Sequence, residues 1–415
     1  MMRSATRLVS AALLLLLAVP ARAEPVHGRL QLQDIYAWEG PQSVAAALDA
    51  RNRNDVLGDL RLSWTPRRDN WHFDFAWRVG FDAGDTPRFA MREAALGILP
   101  APPPPTWWNL TSTFVDQPRF TAAQRIDRLS VGYTGTNLVV RAGRQALTWG
   151  AGLVFRPMDL FDPFAPDATD TEYKPGTDML YGQYLFEGGS DLQLVVVPRP
   201  MRRGGGLTAN ASSFALHFHT TLGNLQTTWL IARDHGDMVA GIGINGSLGG
   251  ATWNAEIIPT FVNGGGTYTS ALLNISDAGT LWDRDVTYFA EYFRNGFGVE
   301  HGRYALTTLP PPLIGRLLRG QLFDTARDYL AAGAQFQWTP LLQISPTLIA
   351  NLDDASLYGI AQATYSLTEN LNLLVGVQVP IGPANSEFGG IALAPNTPPY
   401  LEPPARLYVQ LRQYF

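Results

Sequence analysis

Apolar and polar residues alternate in segments of about ten residues along most of the chain, and this period of two constrains the fold more than any other feature. In one such segment Trp71, Phe73 and Phe75 share a phase, whereas His72 and Asp74 occupy the other. Only a β-strand places residues i, i+2 and i+4 on one face. The repeated pattern predicts an all-β protein, either a soluble sandwich or a transmembrane antiparallel up-and-down β-barrel.

Composition excludes several other classes of protein. The sequence has no internal run of the roughly 18 apolar residues that a membrane-spanning helix needs. Only 16% of the residues are charged and the mean hydropathy is −0.04, which is untypical of disordered and of nucleic-acid-binding chains. Because the chain contains no cysteine, disulfides cannot stabilise it, and a closed hydrogen-bonded barrel is a sufficient alternative.

The N-terminal residues are typical of a secretion signal. Arg3 and Arg7 precede an apolar stretch at 11–19, and Ala21-Arg22-Ala23 supplies a small-residue cleavage pattern. The apolar stretch is too short to cross a bilayer, which favours a cleaved signal peptide (1–23) over a retained helical anchor. We therefore expect an exported protein with one barrel domain at 24–415.

The last segment of the chain distinguishes the barrel from the sandwich. Leu407, Val409 and Leu411 alternate with polar residues, and the segment ends on Phe415. This pattern resembles the C-terminal signature of bacterial outer-membrane barrels. The resemblance implies a location in the cell outer membrane, contact with outer-membrane lipid, and recognition of Phe415 by the barrel assembly machinery.

Turn positions predict the number of strands. Outer-membrane barrels have short turns at the periplasmic end and longer loops at the extracellular end. Eight short turns join sixteen strands, and a first strand at 28–38 and a last at 405–415 bring the total to eighteen. Because the pattern is weakest at 236–276, sixteen strands are the alternative. The turns lie at 65–70, 135–137, 187–190, 222–224, 247–250, 278–283, 339–341 and 367–370.

The third long loop, at 146–177, has the most unusual sequence in the chain. The run G-R-Q-x-L-x-W-G begins at Gly143, and P-x-D-x-F-x-P begins at Pro157. These motifs resemble proteobacterial outer-membrane porin-like barrels of the alginate-export-like and related families. In strand order this is the loop that constricts the pore in general porins; the alternative is a surface loop packed by its own apolar residues. Its candidate constriction residues are Arg156, Asp159, Asp162, Asp170, Glu172 and Lys174.

Two further loops contain proline runs. Residues 82–124 include Pro102 to Pro105 and then Trp107, and we expect this loop to lie outside the sheet because proline cannot donate ladder hydrogen bonds. Residues 296–327 have leucines at helical spacing, Leu313 and Leu317 among them, which predicts one short helix.

The inward phase of the strands carries mostly arginine. These residues fall on the first five strands and on the last, which closes against the first, and Glu256 and Glu291 lie across the barrel. Arginine binds carboxylates and phosphates through a planar fork of donors, so a basic surface favours anionic solutes. Alternatively, the arginines pair with loop acids and stiffen the barrel. The predicted basic residues are Arg29, Arg61, Arg78, Arg128, Arg141, Arg406 and Arg412.

No motif predicts an enzyme, a cofactor or a metal site. His217 and His219 share the inward face of one strand, but two ligands fall short of the usual three or four of a metal centre. The sequence thus predicts a channel for passive passage of small or oligomeric, anionic solutes. A non-transporting surface barrel whose loops bind a ligand is the alternative. Tryptophans on the outward phase should face lipid.

Overall fold

The computed structural model describes residues 25–95, 105–300, 304–394 and 397–415. The predicted signal peptide, and Pro102 to Pro104 of the second long loop, lie outside these residues.

Eighteen antiparallel strands form one sheet, as the turn count predicts, and the alternative of sixteen is wrong. The weakly patterned segment at 236–276 contains antiparallel strands that pair with both of their neighbours, with one gap in the pairing at Ala240 and Gly241. The barrel strands are β1 His27–Trp38, β2 Asn52–Trp64, β3 Trp71–Gly84, β4 Phe120–Thr134, β5 Leu138–Gln145, β6 Thr177–Leu185, β7 Asp191–Val197, β8 Ser213–Leu222, β9 Leu225–Asp234, β10 Asp237–Leu248, β11 Ala251–Phe261, β12 Thr267–Leu281, β13 Arg284–Arg294, β14 Asp328–Thr339, β15 Leu342–Asn351, β16 Leu357–Ser366, β17 Leu371–Ile381 and β18 Ala405–Tyr414.

The sheet closes on itself because β1 pairs with both β2 and β18. Because the first strand pairs with the last, the barrel has no free edge strand. Phe415 completes the seam: its backbone exchanges hydrogen bonds of 2.7 and 3.0 Å with Gly28, and its ring occupies the space that a side chain at Gly28 would fill.

The outer face of the barrel is apolar. Leu30, Leu32 and Leu407 are each about half exposed, whereas their neighbours on the opposite phase are buried. Trp71, Trp229 and Trp338 are exposed on the same outward face, and Trp77 and Trp253 are partly covered. This belt of exposed apolar side chains is what a lipid-facing surface requires.

Long loops lie at one end of the barrel and the eight predicted short turns at the other. The loops contain helices α1 (Val44–Ala47), α2 (Thr86–Ala95) and α3 (Pro311–Leu318), the last of which confirms the predicted short helix. Leu313 on α3 is fully buried against Phe297 and Leu309. In the part of the chain that is described, no helix combines the length and the apolar character needed to span a bilayer.

One loop segment differs from expectation. Residues Thr111–Gln117, predicted to lie outside the sheet, form a strand that pairs with the upper part of β4. The strand β5 has only 8 residues and leaves that edge of β4 without a partner. Residues rich in threonine, phenylalanine and valine favour strand pairing, and their backbone groups take up the free hydrogen bonds.

Candidate functional site

The third loop, residues 146–176, lies inside the barrel. The loop connects the neighbouring strands β5 and β6, but its side chains form hydrogen bonds with strands that are far apart around the barrel. The indole of Trp149 donates to Gln193 on β7 at 2.9 Å, and Asp167 accepts from Arg406 on β18 at 3.0 Å. Because β7 and β18 are separated by many strands in both directions, the loop crosses the interior.

Two carboxylates on the far side of the barrel hold the backbone of this loop. Glu256 on β11 accepts the N–H of Ala151 at 2.6 Å. Glu291 on β13 accepts three successive backbone N–H groups, at residues 153 to 155, over distances of 2.6, 2.9 and 2.8 Å. Asn274 connects Glu291 to the loop backbone. Its amide donates both to the carboxylate of Glu291 at 3.0 Å and to the carbonyl of Ala151 at 2.9 Å. Successive N–H groups pointing at one carboxylate form an anion-binding concavity of backbone.

Apolar packing fixes the next part of the loop. Trp149, Met158 and Phe161 are buried among inward residues of β6 to β11, including Val195 and Leu230. The ring of Trp149 also stacks on His217 with centroids 4.8 Å apart. Burial of these large side chains stabilises the inward position of the loop by roughly 1.5–3 kcal/mol each.

A buried ion pair joins two parts of the loop. The Nζ of Lys174 lies 2.6 Å from a carboxylate oxygen of Asp159 and also donates to the carbonyl of Leu147 at 2.5 Å. Burial raises the pKa of Asp159 to about 6, against the opposing effect of Lys174. Burial likewise lowers the pKa of Lys174, against the attraction of Asp159. A buried ion pair therefore holds the start and the end of the loop segment 159–174 together.

The acidic end of the loop contacts the single arginine of β1. Arg29 binds Asp170 at 2.7 Å and Glu172 at 2.9 Å. Burial acts to raise the pKa of Asp170, but its hydrogen bond and attraction to Arg29 lower that pKa overall. The ring of Tyr173 lies beneath the guanidinium groups of Arg29 and Arg61, at 4.8 and 4.3 Å from its centroid.

The remaining charged residues predicted in this loop have different environments. Asp162 accepts a hydrogen bond from the hydroxyl of Thr177. The guanidinium of Arg156 lies 5.7 Å from the ring centroid of Phe164 and has no ion pair with a described residue.

Four arginines form one row across four neighbouring strands. Arg29 lies opposite Arg61, Arg61 opposite Arg78, and Arg78 opposite Arg125. Like charges directly opposite one another are destabilising, so such a row needs acidic partners. Asp59 pairs with Arg29 and Arg78, and the carboxylate of Asp127 lies 2.6 Å from Arg61 and 2.8 Å from Arg125.

These partners differ from the prediction. The sequence pattern predicts inward acids only across the barrel, but Asp59 and Asp127 lie among the arginines. Asp59 is two residues before Arg61, so alternation alone places both on one face. Asp127 and Arg125 fall on the opposite phase to Arg128. Asp127 is the extra residue of a bulge on β4, opposite Ala76 and Trp77 of β3, and this bulge brings all three side chains to the interior.

Other predicted basic residues lie below this row or on the closing strand. Arg128 donates to the carbonyl of Lys174 at 2.7 Å, and Arg412 donates to Gln410. The guanidinium of Arg141 lies 4.5 Å from the ring centroid of Tyr181. These three arginines form no ion pair with a carboxylate of the described residues. We call the interior face of β18 and β1 to β5 that carries these side chains the arginine surface.

The paired histidines have no metal-site geometry. His217 stacks on Trp149, and the Nδ1 of His219 lies 3.3 Å from Asp191. Among the described residues, no group of three or more histidine, aspartate or glutamate side chains is arranged to hold a metal ion.

Comparison with known proteins identifies the fold. No protein-family model matches the chain, and no curated protein matches its sequence. Among solved structures, OccAB1 of Acinetobacter baumannii is similar over 96% of this chain and 98% of its own, with 10% identity and a TM-score of 0.55. A BenF-like porin from Pseudomonas fluorescens Pf-5 is similar over 95% and 100%, with 10% identity and a TM-score of 0.54. Wzi of Escherichia coli, described as a carbohydrate-binding barrel involved in capsule assembly, is similar over 93% and 83%, with 10% identity and a TM-score of 0.52. The chain has a porin-like outer-membrane barrel fold.

Proposed function

We propose that the protein is an outer-membrane channel through which small solutes, preferentially anionic ones, diffuse without chemical change. One observation carries the proposal: the third loop is built into the interior of a porin-like barrel, opposite an arginine surface. In this reading the signal peptide at 1–23 directs export, Phe415 is read by the assembly machinery, and the single domain at 24–415 spans the membrane.

The third loop narrows the channel in this proposal. Its backbone is held by Glu256 and Glu291 on one side of the barrel, and its acids by Arg29 and Arg406 on the other. A solute must pass beside this loop, where a water-poor interior strengthens every electrostatic interaction.

Anion preference comes from arginines that the loop and wall acids leave unneutralised. Within the row, Asp59 and Asp127 each pair with two arginines, and Asp170 and Glu172 of the loop both pair with Arg29. The row is therefore close to neutral, and the unpaired positive charge lies on other arginines of the surface. The side chain of Arg78 is 52% exposed, which makes it available to a passing carboxylate. Arg128, Arg141 and Arg412 add positive charge without a paired carboxylate among the described residues.

A second function has one observation in its favour. Gln378 on β17 and Gln410 on β18 have no exposed surface. Their amides donate to backbone carbonyls of the third loop at 2.8 and 3.4 Å. A loop that covers the interior so fully also fits a non-transporting barrel that binds a ligand. A barrel of this second kind conducts no ions.

Recordings in planar bilayers test the proposal. We expect discrete conductance steps and a reversal potential, in a salt gradient, of the sign that anion selectivity gives. The double variant Arg78→Gln/Arg141→Gln should lower the anion-to-cation permeability ratio. Arg284→Gln is the matched control, because Arg284 lies at a short turn against the outward ring of Trp338.

Two results would contradict the proposal. Cation selectivity of the unmodified protein would contradict the proposed preference for anions. Absence of any conductance in correctly folded protein would favour the ligand-binding barrel.

A further inference from the structure

Five residues form a row across the barrel interior near the short turns. Arg67, on the two-residue strand Arg67–Arg68, lies opposite His72 on β3, and His72 lies opposite Gly132 on β4. Gly132 in turn lies opposite Arg141 on β5, which lies opposite Tyr181 on β6. Directly opposed residues of neighbouring strands share a face, so the five point to the same side of the sheet.

The glycine in the centre of this row has no side chain, so the side chains on either side of it can approach each other. A Cβ atom at Gly132 would lie 2.2 Å from two atoms of the His72 ring and 2.8 Å from the Cγ of Arg141. The two flanking side chains therefore occupy the volume above the glycine and approach each other. They border a cavity of about 370 Å³, which Arg67, Asp69, Asn70 and Thr134 also line. Its size lies in the range of small-molecule sites.

The cavity has an excess of unpaired positive charge. Neither Arg67 nor Arg141 forms an ion pair with a described residue, in contrast to Arg29 and Arg61. The Nε of Arg141 is buried and has no hydrogen-bond partner there. Asp69 is the only acidic residue among those that line the cavity. A guanidinium without a carboxylate partner can bind an oxyanion through its terminal N–H groups.

The aromatic ring of Tyr181 restricts the orientation of the Arg141 guanidinium. The guanidinium lies 4.5 Å from the ring centroid of Tyr181, which limits the rotamers that the arginine can adopt. A guanidinium held in one orientation loses less entropy when it binds a bidentate oxyanion than a free one does.

We propose that this cavity is a binding site for a small oxyanion, a carboxylate or a phosphate, held by Arg67 and Arg141 at the short-turn end of the barrel. It is separate from the third loop and would hold an anion after the passage beside that loop. The role of such a site in transport rests on the proposed channel function, but the binding itself does not.

Calorimetric titration of the purified full chain in detergent, at low salt, tests the site. Succinate and inorganic phosphate are the two probes, and they distinguish carboxylate from phosphate as the preferred oxyanion. We expect saturable binding of at least one probe. In the double variant Arg67→Gln/Arg141→Gln that binding should weaken about tenfold or more, because two charge-assisted contacts are lost.

Two further variants keep the outcome unambiguous. Arg67→Gln alone changes a residue whose side chain makes no hydrogen bond or ion pair with the described residues, so it should fold and still weaken binding. Arg284→Gln removes the same charge at the same end of the barrel, outside the cavity, and should leave binding unchanged.

Three results would contradict the proposed binding site. These are no binding of either probe to the unmodified protein, unchanged binding in the folded double variant, or an equal loss of binding in Arg284→Gln. Binding that depends on Arg67 and Arg141 in a protein that conducts no ions would support the site and contradict the channel.

Discussion

At the scale of single residues, the third loop contains a buried lysine, Lys174, that is ion-paired with Asp159. It is the only lysine among the 31 basic residues, and it is 7% exposed. Its partner Asp159 is 3% exposed. Removing one member of a buried ion pair leaves an uncompensated charge, whereas removing both charges together is often nearly neutral.

This asymmetry gives the first prediction. Lys174→Met should lower the free energy of unfolding by about 3–5 kcal/mol, because the Asp159 carboxylate loses its counter-charge. The double variant Asp159→Asn/Lys174→Met should recover most of that loss. Urea unfolding in detergent micelles measures both values. Equal losses in the single and double variants would show that the pair is not the cause.

The second prediction concerns pH. Burial raises the pKa of Asp159 from an ordinary 3.8 to about 6. The folded protein therefore binds this proton more readily than the unfolded chain, so the contribution of Asp159 to stability is greatest below pH 3.8 and is lost as the pH rises through 6. Unfolding measured between pH 4 and 7 should show this slope. Asp159→Asn should remove it; an unchanged slope in that variant would assign it to other groups.

At the scale of elements, the third loop is held at both ends by opposite kinds of charge. Carboxylates of β11 and β13 hold its backbone at 151–155, and Arg29 of β1 and Arg406 of β18 hold its acids at 167–172. A loop fixed at opposite sides of a barrel cannot leave the interior without breaking one set of contacts.

The third prediction follows from this double attachment. Replacing 157–175 by two glycines should increase single-channel conductance, because the part of the loop that crosses between the two attachments is removed. Asp159 and Lys174 leave together, so no buried charge of this pair is stranded. Removal of the exposed loop segment 201–206 is the control. Unchanged conductance in a folded 157–175 deletion would place the narrowest point elsewhere.

At the scale of the whole molecule, the outer apolar belt and the closed sheet are what a protein with the bilayer as its solvent requires. Leu407, Val409 and Leu411 of the closing strand are 47, 41 and 40% exposed on the outward face. Exposure of this much apolar surface is stable only when lipid covers it.

The fourth prediction tests the lipid-facing surface by depth. Val375 lies in the middle of β17 and Ile381 at its end, both exposed on the same face. Val375→Arg should cost roughly 2–4 kcal/mol, since its charge enters the centre of the bilayer, and Ile381→Arg about 0–1 kcal/mol. Unfolding from lipid vesicles measures both. Equal costs for the two variants would contradict the placement of this strand in the membrane.

The eighteen barrel strands, most of their inward and outward faces, and the short turns that join them are predictable from the sequence. Each of these features depends on residues close together in the chain: alternation sets the face of Val375, and short polar turns such as Gly223-Asn224 end one strand and begin the next. The position of Asp59 on the arginine surface was available from the same pattern, two residues from Arg61.

The arrangement of the interior depends instead on contacts between residues that are far apart in the chain. Arg125 and Asp127 reach the interior through a bulge, which depends on the register between β3 and β4. Arg29 meets Asp170 across a separation of 141 residues. Alternation predicts which side of its own strand a residue occupies, but not where a loop of 31 residues (146–176) lies. The path of the third loop is set by the simultaneous satisfaction of buried charges and backbone groups that no local segment contains.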